Sequence, residues 1–256
     1  MTGSVTLILN GAEARLQAVC TCDGKLLFAQ EWDAQSRGTE ILTPALEQAF
    51  AHMCVNTDAI GRIVCVNGPG SFTGIRLVLS TAAALARVTG AQLAALDYMA
   101  VLAQGATSRN NTHVCVLTHA RRGSVHYQSF IRRGTDAPPQ PVDDVAVLPL
   151  ADAAHRILGH GGGPAVVGSG LTRNRAFFAE HLPAALLSPP QRDNPTTPTL
   201  MELEPFATPV RGDIPPLYVR PCDAVDNLAA IAARRGMDAA DAHTELDRLT
   251  SATIII

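Results

Sequence analysis

The segment Gly68-Pro69-Gly70-Ser71-Phe72-Thr73-Gly74 constrains this chain more than any other. It stands between a short, fully apolar run, Ile63-Val64-Cys65-Val66, and a long apolar stretch that ends at Gly90. Strand, glycine turn and helix in that order are the α/β arrangement in which backbone N–H groups can face an anion. A phosphate-binding P-loop needs Lys-Ser or Lys-Thr after its last glycine, and here Ile75-Arg76 follows. Lys25, on a distant turn, is the chain's only lysine. The dinucleotide pattern G-x-G-x-x-G fails as well, because its third glycine falls on Thr73. What remains is a tight turn with Ser71 or Thr73 as the N-cap of a helix running to about Val88.

That helix leaves little polar surface. Arg76, Ser80 and Arg87 form a narrow stripe among Ile75, Leu77, Val78, Leu79, Ala82, Ala83, Ala84, Leu85, Ala86 and Val88. A helix apolar nearly all round has to be covered on both sides. A sheet covers one; a second helix, another protein or later parts of the same chain must cover the other. The preceding helical pattern, with Ile41, Leu42, Ala45, Leu46, Ala49, Phe50 and Met53, offers a neighbour. Either it kinks at Pro44, or it starts there with Thr43 as its cap.

Short apolar runs at 5–10, 16–21 and 26–31 open the chain as a meander, with Asp23-Gly24-Lys25 as a tight turn. The second half starts again with strands at 114–117 and 124–131, followed by a helix at 149–158 and a strand at 165–167. Helices are expected at 171–181, near 199–204, at 223–235 and at 239–249. Two rounds of meander, helix, strand and helix predict an α/β protein of two related lobes, with the boundary near 105–111. The expected division is 1–107, 108–222 and a helical tail at 223–256.

Composition removes several functions. With 47% hydrophobic and 17% charged residues the chain is globular, and a net charge of −3 excludes holding nucleic acid by bulk electrostatics. The six cysteines include no C-x-x-C pair, so zinc and dithiol chemistry are not expected. Met1-Thr2-Gly3-Ser4 carries no basic region, no signal peptide or membrane span is expected, and a cytoplasmic location follows as an expectation. H-E-x-x-H is absent, His155 and His160 read as surface residues, and Gly168-Ser169-Gly170 lacks the spacing of a hydrolase elbow. Asp97 reads as a helix cap, and Arg121-Arg122 as a solvated turn. No catalytic residue, metal site or cofactor is expected.

Cys65-Val66-Asn67-Gly68-Pro69-Gly70-Ser71-Phe72-Thr73-Gly74-Ile75-Arg76, with Ser80-Thr81-Ala82 and Leu85-Ala86 after it, closely resembles the signature of the bacterial TsaB (YeaZ) family. Ile41-Leu42-Thr43-Pro44, Ala120-Arg121-Arg122-Gly123-Ser124-Val125, Val167-Gly168-Ser169-Gly170 and Pro216-Leu217-Tyr218-Val219-Arg220 follow in the family's order. The resemblance implies a duplicated actin/Hsp70-like (ASKHA) fold of two lobes, each a mixed sheet flanked by helices. It implies a part in making threonylcarbamoyladenosine in tRNA, as a non-catalytic subunit that binds a TsaD-like transferase. A TsaE-like ATPase would join that pair, tRNA would be met only through the complex, and a homodimer through the same helices is an alternative. The implied interface is Leu42, Leu46, Phe50, Ile75, Leu79, Ala82 and Ala86, with the glycine loop and Arg76 setting the second helix. The competing reading is a nucleotide-dependent or peptidase-like enzyme of the same fold. Against it, Leu9-Asn10-Gly11 replaces the family's I-D-T, His119 replaces an aspartate, and Gly38 replaces a histidine. The two lost aspartates match positions that handle phosphate and metal in active relatives.

Overall fold

A computed structural model describes residues 3–13, 15–34, 37–106, 112–133 and 137–219, and in the C-terminal segment 228–238, 240–242, 244–245 and 248. The first sheet begins with β1 (Val5–Asn10), β2 (Arg15–Cys22) and β3 (Lys25–Asp33), the antiparallel meander that the sequence predicts. All six residues of β1 are buried, as a central strand covered on both faces requires. The exposed residues of β3 recur at every second position near its end, as expected for an edge.

Helix α1 (Gly38–His52) leads into β4 (Ile60–Val66), and α2 (Phe72–Thr89) carries the chain to β5 (Gln92–Leu96). Strands β1, β4 and β5 lie parallel and adjacent. Pro44 sits inside α1, which starts six residues before it, so the helix does not begin at Pro44 with Thr43 as its cap. Ser71, not Thr73, caps α2: its side chain accepts from Gly74 N at 3.3 Å. Gly90 ends α2 in the left-handed conformation, φ 74°, where a Cβ would be strained.

Helix α3 (Tyr98–Ala106) joins the first sheet to the second. Asp97 Oδ1 accepts from Met99 N at 2.6 Å and Ala100 N at 3.2 Å, the capping role expected of it. The second sheet is built on the hairpin β6 (Thr112–Arg121) and β7 (Ser124–Arg132). Short strands β8 (Gln140–Pro141) and β9 (Ala146–Pro149) pair with β7. After α4 (Leu150–Gly159), β10 (Ala165–Val167) lies parallel to β6. Where one helix at 171–181 is expected there are two short ones, α5 (Ser169–Arg173) and α6 (Arg175–His181). Helix α7 (Thr197–Leu203) follows the Pro-rich stretch.

The fold class is as expected, α/β with two mixed sheets flanked by helices. After α7 the chain returns to the first sheet as β11 (Thr208–Val210), antiparallel to β5. Strand β6 belongs to two cores at once. Val114 and Val116 join the large core with β1, β4 and α3, while Cys115 and Leu117 join a smaller one with Tyr127, Ile157 and Phe178. The period-two alternation of a strand makes this possible. Residues 3–219 form one unit.

The second unit begins at Arg220. Its described residues include the helix α8 (Leu228–Arg234) and helical residues within 240–248. Residues 223–227 and the final 249–256 lie outside the described residues.

Candidate functional site

The glycine loop is held by backbone groups rather than aimed at a ligand. Asn67 N donates to Leu96 O at 3.0 Å, Tyr98 N to Gly68 O at 2.8 Å, Ser71 N to Ala12 O at 2.5 Å and Ile75 N to Ser71 O at 2.9 Å. A Cβ on Gly11 would stand 2.6 Å from Gly74 O, and one on Gly70 or Gly74 would strike the carbonyls of Ala12 and Gly11. The loop therefore lies directly on the turn between β1 and β2. The Gly68–Pro69 peptide is cis. The family-like motif near residue 217 meets the loop here. Leu217 N donates to Asn67 O at 2.8 Å, and Asn67 Nδ2 to Pro215 O at 3.0 Å. Phe72 stacks on Tyr218, and the Arg76 guanidinium lies 3.8 Å over the Phe72 ring while its Nε donates to the Tyr218 hydroxyl at 3.1 Å. Phe72, Thr73 and Arg76 are exposed.

The implied interface residues do not lie where they were expected. Leu42, Leu46, Phe50, Ile75, Leu79 and Ala82 are buried in the chain's own core, and only Ala86 is partly open. Helix α2 packs on β4, β1 and α1, so these side chains already have their cover. By length and hydropathy, 18 residues at 1.2, α2 also passes as a membrane span, contrary to the expectation that no stretch would. Its apolar face is used by the sheet. The outward face carries Thr73, Arg76, Ser80, Ala84, Arg87 and Val88, the last 81% exposed. Beside it α1 presents Thr43, Glu47, Gln48 and Ala51. The polar stripe of Arg76, Ser80 and Arg87 already marks this face in the sequence, and Ala84 falls on it, four residues after Ser80 and three before Arg87.

A polar junction closes the space between the two sheets. Glu13, on the turn after β1, receives one hydroxyl on each carboxylate oxygen, Ser169 Oγ on Oε1 and Tyr98 OH on Oε2, the latter at 3.0 Å. His119 N donates to Ser169 Oγ at 3.1 Å. Burial pushes the Glu13 carboxyl up from its ordinary value, and the hydroxyls from Ser169 and Tyr98 pull it back down in part. Burial and the nearby Glu13 raise the Tyr98 hydroxyl well above 10. Asp193 is raised by burial as well. Asn10 is buried and satisfied locally, with Nδ2 donating to Gln17 Oε1 at 2.7 Å and Oδ1 accepting from Ala12 N at 3.0 Å. Of the departures noted in the sequence, His119 borders this junction through its N–H; Asn10 and Gly11 lie on the same turn as Glu13, and Gly38 lies elsewhere, against Leu77. Glu13, Tyr98 and Ser169 do not stand out as a site in the sequence. The one signal there is polar residues at glycine turns after β1 and β10, two strand ends that meet only in three dimensions.

His160 corrects another expectation. It is partly buried, stacked on His113 at 5.0 Å, and 2.7 Å from the Tyr127 hydroxyl. Burial first, then His113, lowers its pKa, and Asp143 opposes them. A lowered folded pKa means that the unfolded chain binds more protons below 6.5. Stability from this residue is complete above 6.5 and is lost as the pH falls through the folded value. His160→Gln is expected to flatten the acid side of the melting-temperature profile between about pH 7 and pH 5, measured by circular dichroism. Among the described residues no group of three or more His, Cys, Asp or Glu is arranged to hold a metal ion.

A family model described as TsaD, tRNA N6-adenosine threonylcarbamoyltransferase, matches residues 33–181, more than half of the chain. No curated protein matches at a significant level. Among solved structures, one described as an uncharacterized protein with similarity to peptidase YeaZ from Pseudomonas aeruginosa has a TM-score of 0.70 at 20% identity. It covers 85% of this chain and 100% of that one. YeaZ from Pseudomonas aeruginosa has a TM-score of 0.67 at 19% identity, covering 84% and 99%. At such identities the two establish a shared fold. The chain belongs to the TsaD family, which ties it to tRNA modification, and it carries the YeaZ fold.

Proposed function

We propose that this chain is a non-catalytic, cytoplasmic partner subunit in threonylcarbamoyladenosine formation, binding a TsaD-like transferase through the outward faces of α1 and α2. The observation that carries the non-catalytic part is the closed junction between the sheets. Polyphosphate entering there would face the Glu13 carboxylate, with Asp193 near it, and would find both hydroxyl donors engaged. Asn10 has no carboxylate to offer a magnesium ion, and its carboxamide is satisfied within the chain. The docking part is supported by the small side chains of Ser80 and Ala84 on an open helix face, which let a partner helix approach closely. A TsaE-like ATPase joins the pair, and tRNA is met through the complex.

The test is co-purification with a TsaD-like protein. Ala84→Glu is expected to reduce the affinity by about 100-fold or more, since it places a charge and extra volume at a packed helix contact. Unchanged binding overturns the surface. A self-associating wild type whose dimer is lost in the same variant assigns the face to homodimerisation. Titration of the isolated chain with ATP and magnesium is expected to give no measurable heat of binding; saturable micromolar binding returns the enzyme reading.

A further inference from the structure

The junction between the sheets has the anatomy of a carboxylate-binding site. Its two donors come from elements other than the one carrying the acid: Tyr98 from α3 and Ser169 from the start of α5. Ser169 Oγ already accepts from His119 N at 3.1 Å, which leaves its own proton for Glu13 Oε1. The Tyr98 hydroxyl is 3.0 Å from Glu13 Oε2 and 3.5 Å from the Asp193 carbonyl, so its proton goes to the carboxylate. Each carboxylate oxygen thus meets one hydroxyl, a two-point grip that suits a planar carboxylate. The charged groups facing the site are Asp193, which disfavours a second negative charge, and Arg173 and Arg15, which favour one.

We infer that Tyr98 and Ser169 form a cradle for a monocarboxylate, and that Glu13 is its intramolecular occupant, plugging the space between the two sheets. The cradle is selective by construction. Two hydroxyls satisfy a singly charged carboxylate, whereas phosphate brings more oxygens and more charge than the site can match beside Asp193. The inference does not rest on partner binding, which uses the α1 and α2 faces.

Chemical rescue tests it. Glu13→Ala removes the side chain beyond Cβ, a CH2COO− group that acetate reproduces almost atom for atom, and leaves both hydroxyls in place. The variant is expected to melt below wild type. Sodium acetate at about 100 mM is expected to raise its melting temperature by about 3 °C or more, while sodium chloride and sodium phosphate of equal ionic strength do not. Wild type, with its cradle filled, is expected not to respond, and adding Ser169→Ala to the variant removes the response. Acetate acting no better than chloride, or acting equally on wild type, overturns the inference. If Glu13→Ala is insoluble, refolding yield is read instead: recovery in acetate alone supports the cradle, and failure in every salt overturns it. Co-purification with the TsaD-like partner, measured alongside, reports separately on the proposed function.

Discussion

Replacing Gly70 or Gly74 with alanine is expected to abolish soluble expression of the chain. Both glycines lie against the turn between β1 and β2, and a Cβ at either would land on a carbonyl oxygen, of Ala12 for Gly70 and of Gly11 for Gly74. Those carbonyls cannot move cheaply. Ala12 O accepts from Ser71 N at 2.5 Å, and Gly11 follows directly on the fully buried β1. Relief of the clash would have to separate the loop from the turn, taking with it the first turn of α2. The cost is expected to exceed about 4 kcal/mol, a large share of the roughly 5–15 kcal/mol that stabilises a typical domain. Gly90→Ala is the matched control. Gly90 has φ 74°, but an added methyl would meet nothing within 4 Å, so only the backbone strain of about 1 kcal/mol applies. Urea denaturation should find Gly90→Ala folded and mildly weakened. A folded Gly70→Ala protein with wild-type stability would show that the loop is not seated on the turn.

Leu79→Asp is expected to unfold the protein, whereas Ala84→Glu, five residues along the same helix, is expected to leave its stability within about 0.5 kcal/mol of wild type. Leu79 belongs to the core cluster with Ile75, Val78 and Ala82. A carboxylate there loses its hydration among apolar side chains, and burying a charge in such surroundings costs several kcal/mol. Ala84 faces water, so a glutamate there keeps its hydration and alanine is exchanged for another good helix former. The pair decides how any loss of partner binding should be read. Loss through Leu79→Asp reports unfolding, and loss through Ala84→Glu in a folded protein reports the surface. Thermal melts of the two variants make the check, and similar melting temperatures would refute the assignment of faces.

Much of the framework is legible because it is written in local signals. The runs at 5–10 and 165–167 become β1 and β10 with the expected bounds, because apolar stretches bounded by turn residues have few alternatives to a central strand. Ser71 and Gly90 mark the ends of α2 because capping depends on a handful of neighbouring atoms. Strand β5 escapes a sequence reading because Gln92-Leu93-Ala94-Ala95-Leu96 resembles the helix before it, and only pairing with β4 makes it extended. Strand β11 is hidden by Pro209, whose place on an edge paired with β5 alone tolerates a missing donor.

The sequence by itself determined the glycine loop, the strand and helix ends around it, the α/β class and the family-like signature, since each follows from steric and hydrogen-bonding rules acting over a few residues. Only the tertiary structure decided what covers the apolar side of α2, packing Leu79 and Ala82 into the chain's own core instead of leaving them for a partner. It alone brought Glu13 against Ser169, 156 positions away. Burial and long-range polar pairing depend on how sheets and helices stack, and the spacing of residues within one helix carries no record of that.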